Sequence, residues 1–98
     1  MSYFKIMLSG TGISFPFEGS TALAIGFFTT RFVKAATRSE AQELAKEMVL
    51  DEWRQGGIYA AENRGKIPSL VIESVSSTGT LTGMFKHKVA GYTFYLGD

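Results

Sequence analysis

Alternating apolar and polar positions predict two strands in the first third of the chain. Residues 3–9 carry Phe4, Ile6 and Leu8 on one side, which is the period of a half-buried strand. The run from Gly10 to Gly12 then predicts a bulge or the end of that strand. Residues 26–35 are rich in aromatic and β-branched side chains on both faces and predict a second, central strand.

Residues 13–25, between these two strands, are predicted to form a long and partly apolar hairpin connection. Pro16 and Gly19 interrupt any regular pattern in this segment. A loop of this length inside a compact domain is often functional.

A helix is predicted to begin after Thr37. The Thr37 hydroxyl can accept the backbone N–H of Glu40 while the Glu40 carboxylate reaches back, as in a capping box. Helical spacing then predicts a core-facing stripe in which Glu52 is the one polar member. The apolar members of this stripe are Ala41, Leu44, Ala45, Met48, Val49 and Trp53. Glycines 56 and 57 predict the end of the helix.

The last third of the chain predicts one strand at residues 69–76 and one or two more before the C-terminus. In the first of these strands, Leu70 and Ile72 are predicted to face one side, and Val71, Glu73 and Val75 the other. Residues 81–89 are weakly strand-like and residues 91–96 strongly so.

The order of these elements predicts a single α+β domain over residues 1–98. We expect the two-layer order strand-strand-helix-strand-strand, in which a mostly antiparallel sheet of four to five strands carries the one main helix on one face. The other face of the sheet then has no predicted helix to cover it.

Composition makes that second face a candidate interface. Eight Phe, four Tyr and one Trp in 98 residues exceed what a core of this size holds, so part of this aromatic surface is expected to be exposed. The formal net charge of +1 argues against a dedicated nucleic-acid binder, which needs a larger positive excess. The absence of cysteine, of a signal-like leader and of a membrane-length apolar run predicts a cytoplasmic protein without a membrane segment.

Candidate chemistry is sparse along the chain. His87 lies between two lysines with no orienting partner nearby in sequence, so we expect a solvated residue. We predict no catalytic set, no metal site and no cofactor. Arg31 could bind a carboxylate or phosphate, but an ion pair with Glu73 or with a helix carboxylate is the favoured interpretation. Trp53 is interpreted as a core anchor.

One resemblance concerns several segments at once. The segments are the strand Gly26-Phe27-Phe28 to Arg31-Phe32-Val33, the helix start Ser39-Glu40-Ala41, the Ile67-Pro68 pair and the final Gly91-Tyr92-Thr93-Phe94-Tyr95. Together they resemble a group of short uncharacterised bacterial proteins over about two thirds of the chain. The resemblance implies a shared fold and a bacterial origin, and it implies no activity.

Two main functional hypotheses follow. The first is a non-enzymatic interaction domain that forms a homodimer, or binds another protein, through the aromatic-rich sheet face. The alternative is a small-molecule-binding domain with its pocket between residues 13–25 and the sheet. Its candidate ligand-binding residues are Phe15, Phe17, Trp53 and Tyr92 as apolar walls and Arg31 as an anionic contact. The weaker third hypothesis is nucleic-acid binding through Lys5, Arg31, Lys34, Lys86 and Lys88.

Overall fold

The computed structural model describes residues 2–16, 22–77 and 91–97. Their elements are β1 (Ser2–Pro16), β2 (Leu23–Ala35), α1 (Arg38–Trp53), β3 (Ser69–Ser77) and β4 (Tyr92–Leu96). The strands form one antiparallel sheet in the order β3-β1-β2-β4, and α1 packs on one of its faces. The predicted α+β class and element order are confirmed with four strands. The possible fifth strand, at residues 81–89, lies outside the described residues.

The β1–β2 hairpin is longer than the sequence pattern predicted. Pairing runs without interruption from Ser2 opposite Ala35 to Thr11 opposite Gly26, and it resumes at Phe15 after a register shift. Gly12 lies within this irregularity with φ +94°, a conformation that glycine adopts without steric cost. The predicted bulge is therefore confirmed, whereas the assignment of residues 13–16 and 23–25 to a loop is wrong.

The core lies between the sheet and one narrow line of the helix. Four helical residues spaced four apart are buried. They are Ala41, Ala45, Val49 and Trp53. The predicted stripe was wider, but Leu44 and Met48 are 42% and 36% exposed. Leu44 and Met48 come three positions after Ala41 and Ala45, so they lie on the flank of this buried line. The small alanines let the helix lie close to the sheet along the line itself.

The helix start agrees with the predicted cap, and the helix end comes earlier than predicted. The Thr37 hydroxyl accepts the Glu40 N–H at 3.1 Å, and the Glu40 carboxylate accepts the Ala36 N–H at 3.3 Å. The helix ends at Trp53, because Arg54 is already extended. Gly56, with φ +90°, belongs to the turn that follows.

A bulge in β3 changes which side chains face the helix. Leu8 pairs with Ile72 and Met7 with Ser74, so Glu73 is an extra residue in the ladder. Val75 consequently lies opposite the buried Ile6 and packs against the core. The prediction that Val75 faces away from Leu70 and Ile72 is therefore wrong.

The segment that follows α1 docks against the far end of β1. The N–H of Arg64 donates to the Ser14 carbonyl at 2.7 Å, and the N–H of Lys66 donates to the Gly12 carbonyl at 2.9 Å. Gly65 lies between these two contacts, where a Cβ atom would be 2.6 Å from the Gly12 carbonyl oxygen. No helix in the described parts of the chain is long and apolar enough to cross a membrane.

Candidate functional site

The predicted arginine site is a buried ion pair between the sheet and the helix. Arg31 donates through Nη1 to Glu52 Oε2 at 2.8 Å and through Nη2 to Glu52 Oε1 at 3.1 Å. Its Nε donates to the Thr29 hydroxyl at 3.3 Å, and the residue is 5% exposed. Of the two partners favoured for Arg31, the helix carboxylate is thus confirmed, while Glu73 accepts a hydrogen bond from Ser9 instead.

Tyr92 joins this ion pair to the edge of the sheet. Its hydroxyl donates to Glu52 Oε1 and accepts the indole N–H of Trp53 at 3.1 Å. The Arg31 guanidinium carbon lies 5.2 Å from the centre of the Tyr92 ring, within cation–π range. Among the described residues, no buried side-chain nitrogen or oxygen lacks a hydrogen-bond partner. The network therefore connects β2, α1 and β4 through donors and acceptors that already have partners.

The charges of this network are fixed at neutral pH. Burial alone would raise the pKa of Glu52, but hydrogen bonds from Arg31 and Tyr92 outweigh it and hold that pKa below its ordinary value. Burial would lower the pKa of Arg31, but the hydrogen bond to Glu52 and the charge interactions with Tyr92 and Glu52 together outweigh it and hold that pKa above its ordinary value. Burial and the bond to Glu52 raise the pKa of Tyr92 well above its ordinary value. Neither the carboxylate nor the phenol is thus poised to exchange a proton near neutrality.

An aromatic cluster surrounds Trp53 and contains most of the predicted ligand-binding residues. The indole lies between Phe27, at 5.5 Å between ring centres, and Tyr59, at 4.8 Å, both stacked. Phe15 meets the indole edge-on at 5.5 Å. Trp53 is 2% exposed, which confirms it as a core anchor.

The structure describes four of the five predicted ligand-binding residues. Phe15 contacts Trp53, and Tyr92 contacts both Trp53 and Arg31, so these four residues form one connected group. Phe17 lies outside the described residues. Sequence reasoning missed Tyr59, which stacks on Trp53 from the segment after the helix. The signal available for it was an aromatic residue six positions beyond Trp53, just after the glycine pair.

A groove of about 500 Å³ borders this aromatic cluster. The turn after α1 forms it, rather than the space between residues 13–25 and the sheet. Its apolar walls are Trp53, Ile67, Gly57, Ala60, Ala61 and Gly65. Gln55 and Asn63 supply polar side chains, and the described lining carries no charged residue. Of the four predicted ligand-binding residues that the structure describes, only Trp53 contributes to this lining.

The sheet face turned away from α1, here called the far face, carries exposed apolar side chains. They are Met7 (37% exposed), Phe28 (44%), Val71 (57%) and Tyr95 (37%). Phe28 and Tyr95 lie 5.9 Å apart between ring centres, and Tyr95 lies over Gly26, where a Cβ atom would meet the Tyr95 side chain. Phe32 has the same orientation but is only 8% exposed. The exposed apolar area of this face is thus concentrated on Met7, Phe28, Val71 and Tyr95.

Charge on the far face is separated along the strand direction. Lys5 and Lys34 lie at the end where β1 begins, and Lys34 is 5.6 Å from the centre of the Tyr3 ring. Glu73 is the middle residue of β3, and its carboxylate accepts a hydrogen bond from the Ser9 hydroxyl at 2.6 Å. Lys5 and Ser9 are four residues apart in β1, or roughly 13 Å at the rise of an antiparallel strand.

No protein-family model, curated protein or solved structure matches this chain. The resemblance to short bacterial proteins stays a prediction for that reason. Within the described ranges, no group of three or more histidine, aspartate or glutamate side chains could hold a metal ion.

Proposed function

We propose that this protein is a non-enzymatic protein-interaction domain that self-associates through its far face. The observation that carries the proposal is the exposure of Met7, Phe28, Val71 and Tyr95 on one side of the sheet. Removing apolar surface from water stabilises an assembly by about 25 cal/mol per Å², so a patch of neighbouring large side chains favours association. We also propose a cytoplasmic location, supported by the lack of cysteine in so small a domain.

A second copy of the chain suits this face in shape and size. Sheets that pack face to face lie about 10 Å apart with their strands nearly aligned, and a two-fold axis brings the same patch to both sides. The far face measures roughly 20 Å across four strands and 30 Å along them, or about 600 Å² per copy. Two such faces reach the lower end of the range for specific interfaces, so we expect a dimer of moderate affinity.

Analytical ultracentrifugation over a wide concentration range tests this proposal. We expect a dimer at high concentration that dissociates on dilution, and at least tenfold weaker dimerisation for Phe28→Ser and Val71→Ser. Ile58→Ser is the matched control, since Ile58 is 75% exposed but lies in the turn after α1. A wild-type protein that stays monomeric at millimolar concentration would exclude the proposal, as would equal weakening by Ile58→Ser.

A second candidate function is small-molecule binding, and the groove beside Trp53 favours it. Its volume of about 500 Å³ lies within the range of ligand sites, and its apolar walls with two polar amides suit a small neutral molecule. Trp53 belongs both to this groove and to the five residues predicted for ligand contact.

Titration with a panel of neutral aromatic metabolites, indole included, tests this second function through Trp53 fluorescence and melting temperature. We expect Ala61→Leu to abolish both responses by filling the groove, while Val71→Ser leaves them intact. If no compound changes the emission of Trp53 or the melting temperature, the groove is not a site for this class of ligand.

A further inference from the structure

We infer that the second copy docks on the far face with its strands reversed, so that Lys5 of each copy faces Glu73 of the other. This inference rests on the proposed self-association and adds the identity, orientation and charge pairing of the partner. Its basis is the separation of charge on the far face. Within the described residues, the charged side chains of this face are two lysines near the start of β1 and Glu73 in the middle of β3.

The symmetry of a dimer leaves two aligned ways to place the faces together. A two-fold axis between two facing sheets lies in the plane of the interface. When the axis runs along the strands, the lysine ends of both copies meet, and like charges oppose association. When it runs across the strands, the ends exchange and the lysines of each copy approach the Glu73 carboxylate of the other. The charges of the far face therefore favour the second arrangement.

The register of β1 indicates where such an axis would pass. Met7 is midway between Lys5 and Ser9 in the strand, with Thr30 beside it in β2. An axis across the strands at Met7 therefore brings Lys5 above Ser9 of the other copy, whose hydroxyl holds the Glu73 carboxylate. The apolar side chain of Met7 then meets its own counterpart at the centre.

The β3 bulge makes Glu73 available for this contact. Because Glu73 is the extra residue of the ladder, its side chain does not follow the alternation between the two sheet faces that its neighbours follow. Its hydrogen bond from Ser9 turns the carboxylate toward the far face, where Glu73 remains exposed. The bulge therefore places one carboxylate on the apolar far face, where it can determine the orientation of a second copy.

Charge reversal in two separate chains tests the inference. Lys5→Glu places two like-charged pairs in its homodimer, and so does Glu73→Lys, so each should raise the dissociation constant about tenfold. A mixture of the two variants has opposite charges in both pairs of its heterodimer. We expect native mass spectrometry to detect predominantly the mixed dimer, and the wild-type dimer to weaken as salt concentration rises.

Lys66→Glu is the matched control, because Lys66 is an exposed lysine in the segment after α1. Mixed with Glu73→Lys, it should give no preference for the heterodimer. If the wild type dimerises but Lys5→Glu and Glu73→Lys do not prefer each other, the orientation is wrong while self-association stands. If the wild type does not dimerise, both the proposed function and this inference are overturned.

Discussion

Glu52 accepts a hydrogen bond from each terminal nitrogen of Arg31, at 2.8 Å from Nη1 and 3.1 Å from Nη2. The arginine side chain is 6% exposed and the glutamate side chain 27% exposed. This two-point contact attaches the last turn of α1 to the centre of β2. A guanidinium buried to this extent depends on its carboxylate, since an unpaired charge in the interior is costly.

Glu52→Gln is therefore expected to lower the free energy of unfolding by about 2–3 kcal/mol, because it leaves the Arg31 charge buried without a counter-ion. Urea denaturation monitored by circular dichroism measures this change. Glu47→Gln is the control, since Glu47 pairs with Arg54 at 3.0 Å on the surface and should contribute less than about 1 kcal/mol. Equal effects of the two substitutions would contradict the proposed importance of the buried pair.

The free energy of unfolding should also fall at acidic pH, because Glu52 becomes protonated. Burial opposes ionisation, yet the hydrogen bonds from Arg31 and Tyr92 keep the folded-state pKa of Glu52 below the ordinary value of 4.5. The unfolded state then binds the proton first, so this contribution is present above about pH 4.5 and is lost as pH falls through the folded-state pKa. Urea denaturation from about pH 6 to about pH 2 should show that the free energy of unfolding declines less in Glu52→Gln than in wild type. Parallel curves would show that other carboxylates dominate.

An ion pair between Arg31 and a helix carboxylate could be predicted from the sequence, as one of two choices beside Glu73, because Arg31 and Glu52 each break an apolar pattern. Glu52 is the one polar member of the helical stripe, and Arg31 shares its strand face with Phe27 and Val33. Two periodic elements that pack together bring such exceptions into contact, since each needs a partner in the interior. The antiparallel sheet and the position of its helix could be predicted from the same periodicities.

The positions of the bulges could not be predicted in this way. An extra residue in a ladder depends on which strand lies opposite, and residues 69–76 alternate without any local sign of an irregularity at Glu73. Val75 was assigned to the wrong face as a consequence. The stacking of Tyr59 on Trp53 and the adjacent groove were also missed, because the turn at residues 55–62 has no periodic pattern from which a facing side can be read.

Tyr92→Phe should destabilise the protein by about 1–2 kcal/mol at neutral pH. The substitution removes the hydroxyl that accepts the buried Trp53 N–H and donates to Glu52. Urea denaturation followed by Trp53 fluorescence measures the loss. Tyr95→Phe is the control on the same strand, and a Tyr92→Phe protein as stable as this control would contradict a structural role for the hydroxyl.

Alkaline pH should destabilise the folded protein through the same hydroxyl. Burial and the bond to Glu52 raise the pKa of Tyr92 above the ordinary value of 10.0. The stabilisation is therefore complete below about pH 10 and is lost as pH rises toward the folded-state pKa, because the unfolded state releases its proton first. Ultraviolet absorbance should detect one tyrosine that ionises after the others in wild type. Persistence of that late transition in Tyr92→Phe would assign it to another residue.

Gly10→Ala tests whether the Phe27 ring requires the glycine opposite it in the hairpin. A Cβ atom at residue 10 would lie 2.3 Å from Phe27 Cζ, and Phe27 is fully buried with its ring stacked 5.5 Å from Trp53. The ring must therefore shift and displace the stacked indole. We expect the free energy of unfolding to fall by about 2 kcal/mol and the Trp53 emission to change. Gly91→Ala is the control, since its Cβ atom would meet none of the described residues within 4 Å and should leave stability and emission nearly unchanged. A Gly10→Ala protein with wild-type stability would mean that Phe27 has room to move without disturbing Trp53, and that the aromatic cluster packs less tightly than these distances indicate.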